Sequence, residues 1–288
     1  MSAPTFDLQS HSTASDGVLA PAQVVALAHE SGVELLALTD HDTVAGVDEA
    51  LAAAAQLDGI RVLPAIEISA LDGIHGDLHI CGYGIDHHDA EFLAALGVWR
   101  GDRHARAAAM AEGLREAGLE LELPEAVSAD HPVGRPHLAA AVLAHPANAA
   151  RLRREGINDP GGVIEAYLVE GAPAFRRRST PTVARAVDVI HAAGGVAVWA
   201  HPFWDLDAID EACATLERLA ALGIDGVEAF YITHGEEPTR AIYAAALDLG
   251  LLTTGSADFH GPDNRLFHAF RAFELYGLEP HLGALAAR

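Results

Sequence analysis

The 288 residues are half apolar and carry 41 acidic against 18 basic side chains, a formal net charge of −23. That length allows one large α/β domain or a core with a subdomain, and the negative balance argues against broad or stable nucleic-acid binding, whose affinity comes mainly from neutralised phosphates. No apolar run approaches the roughly 18 residues of a membrane span and no basic N-terminal region precedes an apolar stretch, so the expectation is a cytoplasmic protein with no membrane partner and with Cys81 and Cys213 as reduced thiols.

Strand-like and helical runs alternate from the beginning. TFDLQS (5–10) reads as a strand, followed by a helix near 21–31; ELLALT (34–39) is a strand before a helix near 44–57; RVLPAIEIS (61–69) and LHICGYG (78–84) continue the rhythm. This is the pattern of a parallel sheet or barrel. From about 91 to 185 the pattern becomes almost wholly helical, with RHARAAAMAEGLREAG (103–118) and RPHLAAAVLA (135–144) as the clearest runs. The alternation then resumes: a helix near 181–193, GVAVWAHP (195–202), a helix near 208–222, GVEAFY (226–231), a helix near 237–249, LLTTGSADFH (251–260) and HAFRAFEL (268–275). The organisation expected is an α/β barrel from residues 1–90 and 186–288, interrupted by a helical insertion over 91–185.

Six segments place His, Asp or Glu at the end of these apolar runs: DLQSHS, TDHD, EIS, DLHICGYG, AHPFW and SADFHG. Imidazole and carboxylate together hold borderline and hard divalent metals, and barrel enzymes collect such ligands where strands end. Gln9 and His11 stand two apart, as do Asp258 and His260, and so share a side of an extended chain. Asp16 follows in a glycine-containing loop, His41 and Asp42 lie just past ELLALT, Glu67 ends its strand, and His79 and His201 sit within or at the end of theirs. Singly, Asp16 also reads as a turn residue, Asp42 as a helix N-cap and His79 as a packed core histidine. Six such segments in series point to a multinuclear metal site and metal-assisted hydrolysis.

These motifs, in this order over nearly the whole chain, resemble the PHP (polymerase and histidinol phosphatase) family of phosphoesterases. That family's opening DxHxH is matched here except that Gln9 stands where the first His belongs. The resemblance implies a distorted (β/α)7 barrel with two to three divalent ions, Mn²⁺ being the expected one. It implies one site from His11, Glu67 and Asp258 with Gln9 as a neutral ligand, a second from Glu67, His79 and His201, and a third from Asp16, His41 and His260. Asp7 and Asp40 would orient ligands, with Asp7 also placed among the metal-site residues. Glu67, Asp258 and His201 are the residues on which turnover is expected to depend.

Residues 100–185 hold 12 of the 18 basic residues, all of them Arg, against 11 of the 41 acidic ones. Arginine forks suit phosphate. Arg135 and His137 of GRPHLA, with the run Arg176, Arg177 and Arg178, read either as helix-start and loop residues or as a phosphate grip in an insertion that caps the barrel. GRPHLA also resembles the stand-alone PHP subgroup that includes 3′,5′-nucleotide bisphosphatases and related nucleases. Phe203, Trp204, Tyr231 and Phe259 follow strand ends and read either as core or as a base platform. The expected activity is removal of the 3′-phosphate from a nucleoside 3′,5′-bisphosphate, a small phosphorylated nucleotide. A 5′–3′ exonuclease on short RNA and a non-catalytic metal-binding module are the alternatives.

Overall fold

The computed structural model describes residues 4–122, 133–177 and 179–287. Its elements in chain order are β1 (Phe6–Asp7), α1 (Pro21–Glu30), β2 (Leu35–Leu38), α2 (Val47–Ala54), β3 (Arg61–Leu71), β4 (Asp77–Tyr83), α3 (Ala90–Glu116), α4 (Arg135–Ala144), α5 (Ala149–Glu155) and α6 (Pro160–Tyr167). There follow α7 (Val183–Ala192), β5 (Val196–Trp199), α8 (Pro202–Asp205), α9 (Ile209–Ala220), β6 (Gly226–Tyr231), α10 (Glu236–Asp248) and β7 (Leu252–Ser256), with short 3₁₀ turns at Pro146–Asn148 and Gly283–Ala286.

The seven strands form one sheet in sequence order. Its ends meet: Leu8 N–H donates to Gly255 O (3.1 Å), His11 N–H donates to Phe259 O (2.8 Å), and Ser10 bridges Phe259 in parallel. Closing the sheet leaves no free edge, and the result is the distorted (β/α)7 barrel that the family resemblance implies. The distortion lies at β4, which pairs antiparallel with both β3 and β5, while all other neighbours are parallel. A short turn between Leu71 and Asp77 allows this, because antiparallel strands need no crossover helix. The LLAL of β2 and GVEAFY of β6 are buried at every position, as strands covered on both faces must be. HAFRAFEL, read as strand-like, forms turns instead. Its Arg271 adopts φ +60 and donates to Pro4 O and Ser31 O, which ties this segment to the chain's beginning through hydrogen bonds outside any ladder.

Two units separate: Met1–Ala95 with Pro181–Arg288, and Leu96–Thr180. In the first, Val24, Val25 and Ala28 of α1 pack with Leu36, Leu38 and Phe259 in an apolar layer. The second has its own core, with Met110, Leu114, Leu138, Val142, Leu152 and Val163 buried together. Both cysteines are free thiols, and among the described residues no helix is long and apolar enough to cross a membrane.

Candidate metal centre

The reversed strand explains how residues from unlike strand positions meet. β3 runs on past the end of β2, whose pairing stops at Leu38↔Pro64, so Glu67 stands level with the loop after β2, and His41 bridges it in parallel. Because β4 runs the opposite way, its early residue His79 lies at the end where the other strands finish. The register pairs Ser69 with His79 and Glu67 with Cys81. With a period of two residues, Glu67 and His79 therefore share a face as diagonal neighbours. The loops after β1, β2, β5 and β7 bring His11 and Asp16, His41, His201, and Asp258 and His260 to the same end.

Glu67 is the hub. Its Oε1 lies 2.6 Å from His79 Nδ1 and 3.1 Å from His201 Nε2; its Oε2 lies 3.1 Å from His11 Nε2 and 3.4 Å from His41 Nδ1. His11 Nε2 is also 3.0 Å from Asp258 Oδ1. Asp16 completes the set, 3.6 Å from both His11 Nδ1 and His260 Nε2 and 3.7 Å from His41 Nε2. Three groupings result: His11, Asp16, His41 and His260; His41, Glu67 and His79; and His11, Glu67 and Asp258.

The loop carrying Asp16 folds back tightly. A Cβ at Gly17 would lie 2.3 Å from the His11 carbonyl oxygen, so glycine is required there. Asp40 braces the same loop by accepting from Ser12 N–H (2.7 Å), Ser12 Oγ–H (2.7 Å) and Ser15 Oγ–H (2.6 Å). Asp42 does not cap α2, which starts after Gly46; its Oδ1 accepts from Ser69 N–H at 3.1 Å, next to Glu67 in sequence. Asp7 stands outside the three groupings. Its two oxygens accept from Ala257 N–H (3.0 Å) and Arg271 N–H (2.8 Å), so it fixes the backbone beside Asp258, and burial pushes its pKa up to about 7.

Two supporting residues stand behind the ligands, one absent from the sequence reading and one open there between core and platform. Glu228, the lone acid in GVEAFY, is buried and accepts from His201 N–H at 2.9 Å; burial pushes its pKa up to about 8. Tyr231, which the sequence leaves between core and platform, is buried with its O–H donating to Asp258 Oδ2 at 2.7 Å. Such braces are needed because Asp42, His201 and Asp258 all have positive φ (53°, 31° and 52°), a conformation costing a non-glycine residue about 1–3 kcal/mol.

The residues present fit divalent ions. His11 Nε2, His41 Nδ1, Glu67 Oε2 and Asp258 Oδ1 are buried without a hydrogen bond although they lie 3.0–3.4 Å from one another in successive pairs. Donor atoms bound to one ion at about 2.0–2.2 Å are themselves roughly 3 Å apart, so atoms left unpaired at that spacing suit a shared cation. Both polar atoms of Gln9, which is fully buried, are likewise unpartnered. In the protein alone the cluster's own charges compensate: burial would raise the carboxyl pKa values, but His41 and His79 hold Glu67 well below the usual range, and His260 and His11 hold Asp258 at about 2. Burial likewise opposes charge on His201, and Glu67 outweighs it, raising that imidazole to about 9. Burial prevails at His41, which falls to about 4. Ions would displace such protons as they bind.

Among the aromatics, Phe259 is excluded as a platform because it is fully buried and stacked on Phe270 (centroids 4.2 Å, 21°). Phe203 packs edge-on against His234, 5.0 Å away, and Trp204 is 51% exposed. In the insertion, His137 Nδ1 accepts from Gly134 N–H (3.1 Å) and so caps α4, at whose first residue Arg135 sits half-buried. Arg177 is exposed and paired with Glu170, while Arg176 donates to Phe175 O at 2.9 Å. His137 and Arg177 thus already have local partners, which the linear pattern did not reveal. Arg178 lies outside the described residues.

Comparison with known proteins agrees with this geometry. A PHP domain model matches residues 7–123. The chain is 32% identical to a 5′-3′ exoribonuclease of Haemophilus influenzae, over 89% of this chain and 90% of that protein. It is 34% identical to a 3′,5′-nucleoside bisphosphate phosphatase of Chromobacterium violaceum (89% and 87%), and 33% identical to a phosphoribosyl 1,2-cyclic phosphate 1,2-diphosphodiesterase of Eggerthella lenta (91% and 96%). A solved structure described as an amidohydrolase from Chromobacterium violaceum with bound sulfate and no metal superposes with a TM-score of 0.82 at 30% identity, covering 99% of this chain and 96% of that one. With its ligand-type side chains gathered at one end of a seven-stranded barrel, the chain belongs to the PHP domain family of metal-dependent phosphoesterases.

Proposed function

We propose that the protein removes the 3′-phosphate from nucleoside 3′,5′-bisphosphates, with adenosine 3′,5′-bisphosphate giving AMP and phosphate. The observation that carries the hydrolytic reading is Glu67, one buried carboxylate within 2.6–3.4 Å of four imidazole nitrogens. The bisphosphatase relative supports the choice of substrate.

In this reading His11, Glu67 and Asp258, with Gln9, would hold one ion, Glu67, His79 and His201 a second, and Asp16, His41 and His260 a third. Divalent ions, with Mn²⁺ favoured by the mixed nitrogen and oxygen donors, supply Lewis acidity at the phosphoryl group and make water acidic near neutral pH. Glu67 joins the first two ligand sets, so that they are positioned together. Tyr231, by donating to one oxygen of Asp258, leaves the other directed at His11. Glu228 holds the backbone of His201 in its left-handed turn. Arg135, with Arg176, Arg177 or Arg178, would grip the phosphate that is not cleaved and use its binding energy to position the one that is.

A 5′–3′ exonuclease on short RNA is the second reading, favoured by the exoribonuclease relative. The non-catalytic alternative finds no support in the ligand set, where only Gln9 departs from the family pattern. A screen on metal-stripped protein reloaded with Mn²⁺, following inorganic phosphate and released nucleoside monophosphate together, tests these readings. Adenosine 3′,5′-bisphosphate should be hydrolysed far faster than a 5′-phosphorylated dinucleotide; equal rates would favour the nuclease, and no release from any phosphorylated compound would remove the proposal.

A further inference from the structure

Next to the centre lies a layer of rings that ligand binding to metal does not use. Trp204 follows closely on His201, whose carbonyl accepts from Trp204 N–H at 2.9 Å. Its indole packs against Phe267 (centroids 5.6 Å, 50°) and edge-on to Tyr231 (6.5 Å, 81°). These two rings lead directly to the centre: Phe267 is 5.2 Å from the His260 imidazole and Tyr231 is 5.3 Å from that of His201.

The layer is held in place. Asn264 Oδ1 accepts from both Leu266 N–H and Phe267 N–H at 3.0 Å, and Phe267 O accepts from His260 N–H at 2.9 Å, so the Phe267 turn is fixed to a ligand residue. Yet half of Trp204 is open to solvent, whereas Trp199 and Trp99 are 1% and 5% exposed. The open indole lies beside a buried polar centre, where tryptophan's large flat face is available for contact. An indole face suits a planar heteroaromatic ring, since every nucleobase offers a π-face.

We propose that Trp204, backed by Phe267 and Tyr231, is the platform on which the substrate's nucleobase stacks. The inference rests on the nucleotide reading given above and adds its recognition element. Within this ring set the hydroxyl of Tyr231 is already donated to Asp258, so the contact expected of the platform is with the flat face of a base. Selection among the four bases is therefore weak, and selection for a base over none is strong.

The test titrates Mn²⁺-loaded protein with AMP and, separately, with ribose 5-phosphate, following tryptophan fluorescence and heat of binding. Trp204 is the indole accessible to a ligand, so AMP should change the emission and bind about 5- to 100-fold more tightly than the base-free compound. Trp204→Ala should remove most of that advantage and Trp204→Phe should restore much of it. Equal affinity for AMP and ribose 5-phosphate, or unchanged AMP affinity in Trp204→Ala, would overturn the proposal. Phosphate release from adenosine 3′,5′-bisphosphate by the parent protein separates the two ideas. Release without any Trp204 effect sinks the platform and leaves the function; a Trp204-dependent AMP signal without release does the reverse.

Discussion

The two units each bury a side-chain amide, and they treat it in opposite ways. In the insertion, Asn148 is 2% exposed; its Nδ2 donates to Glu120 O (2.6 Å) and Val142 O (2.8 Å), and its Oδ1 accepts from Glu120 N–H (2.9 Å). In the barrel, Gln9 is fully buried with neither amide atom hydrogen-bonded. A buried polar group without a partner costs roughly 1–3 kcal/mol, so Asn148 serves the fold while Gln9 is a cost that a ligand would offset. The same contrast extends outward. The insertion closes on an apolar core of its own, whereas the barrel end brings unpaired ligand atoms to within 3.0–3.4 Å of one another in successive pairs and holds three residues at positive φ. Departures from local rules concentrate where a protein acts.

The sharpest way to break this contrast is at its hub. Glu67→Ala should reduce turnover to about a few per cent of the parent or less and lower metal content, because one carboxylate faces four imidazoles. The circular dichroism spectrum should be kept. Retained activity would show that Glu67 does not join two sites. Leu138→Ala addresses the other unit. It empties a fully buried position and should cost about 2–5 kcal/mol of stability in denaturant unfolding, with metal content unchanged; loss of metal there would dissolve the distinction between the units.

Smaller effects sharpen the comparison. Removing the Arg135 and Arg176 side chains should cost about one to two decades in kcat/KM each on a nucleoside bisphosphate, and less on an aryl phosphate, which lacks the second phosphate. Equal losses on both substrates would make these arginines structural. Gln9→His should tighten metal binding at the site shared with His11 and Asp258. A titration indistinguishable from the parent would mean that position 9 does not face the ions.

How far this contrast was legible in the sequence depends on what each residue answers to. The alternation of strands and helices and the six ligand segments were visible because each strand carries its own apolar run and its own terminal polar residue. The reversal of β4 was not visible, since direction depends on which neighbour a strand finds, and LHICGYG reads equally in either sense. HAFRAFEL alternates like a strand but spends its hydrogen bonds on Asp7, Pro4 and Ser31. Glu228 did leave a signal, an acid inside an otherwise apolar strand, which only a paired or functional carboxylate explains. The division of labour among aromatics, with Phe259 and Tyr231 buried and Trp204 open, follows from packing between distant segments, which spacing along one chain does not encode.

The most direct test of the central claim is metal stoichiometry by elemental analysis on protein purified without chelator, paired with phosphate release by the same sample. A centre built from three overlapping ligand groups should carry at least two divalent transition-metal ions per chain, and chelation should abolish release until ions are returned. Fewer than one ion per chain in fully active protein would contradict the account.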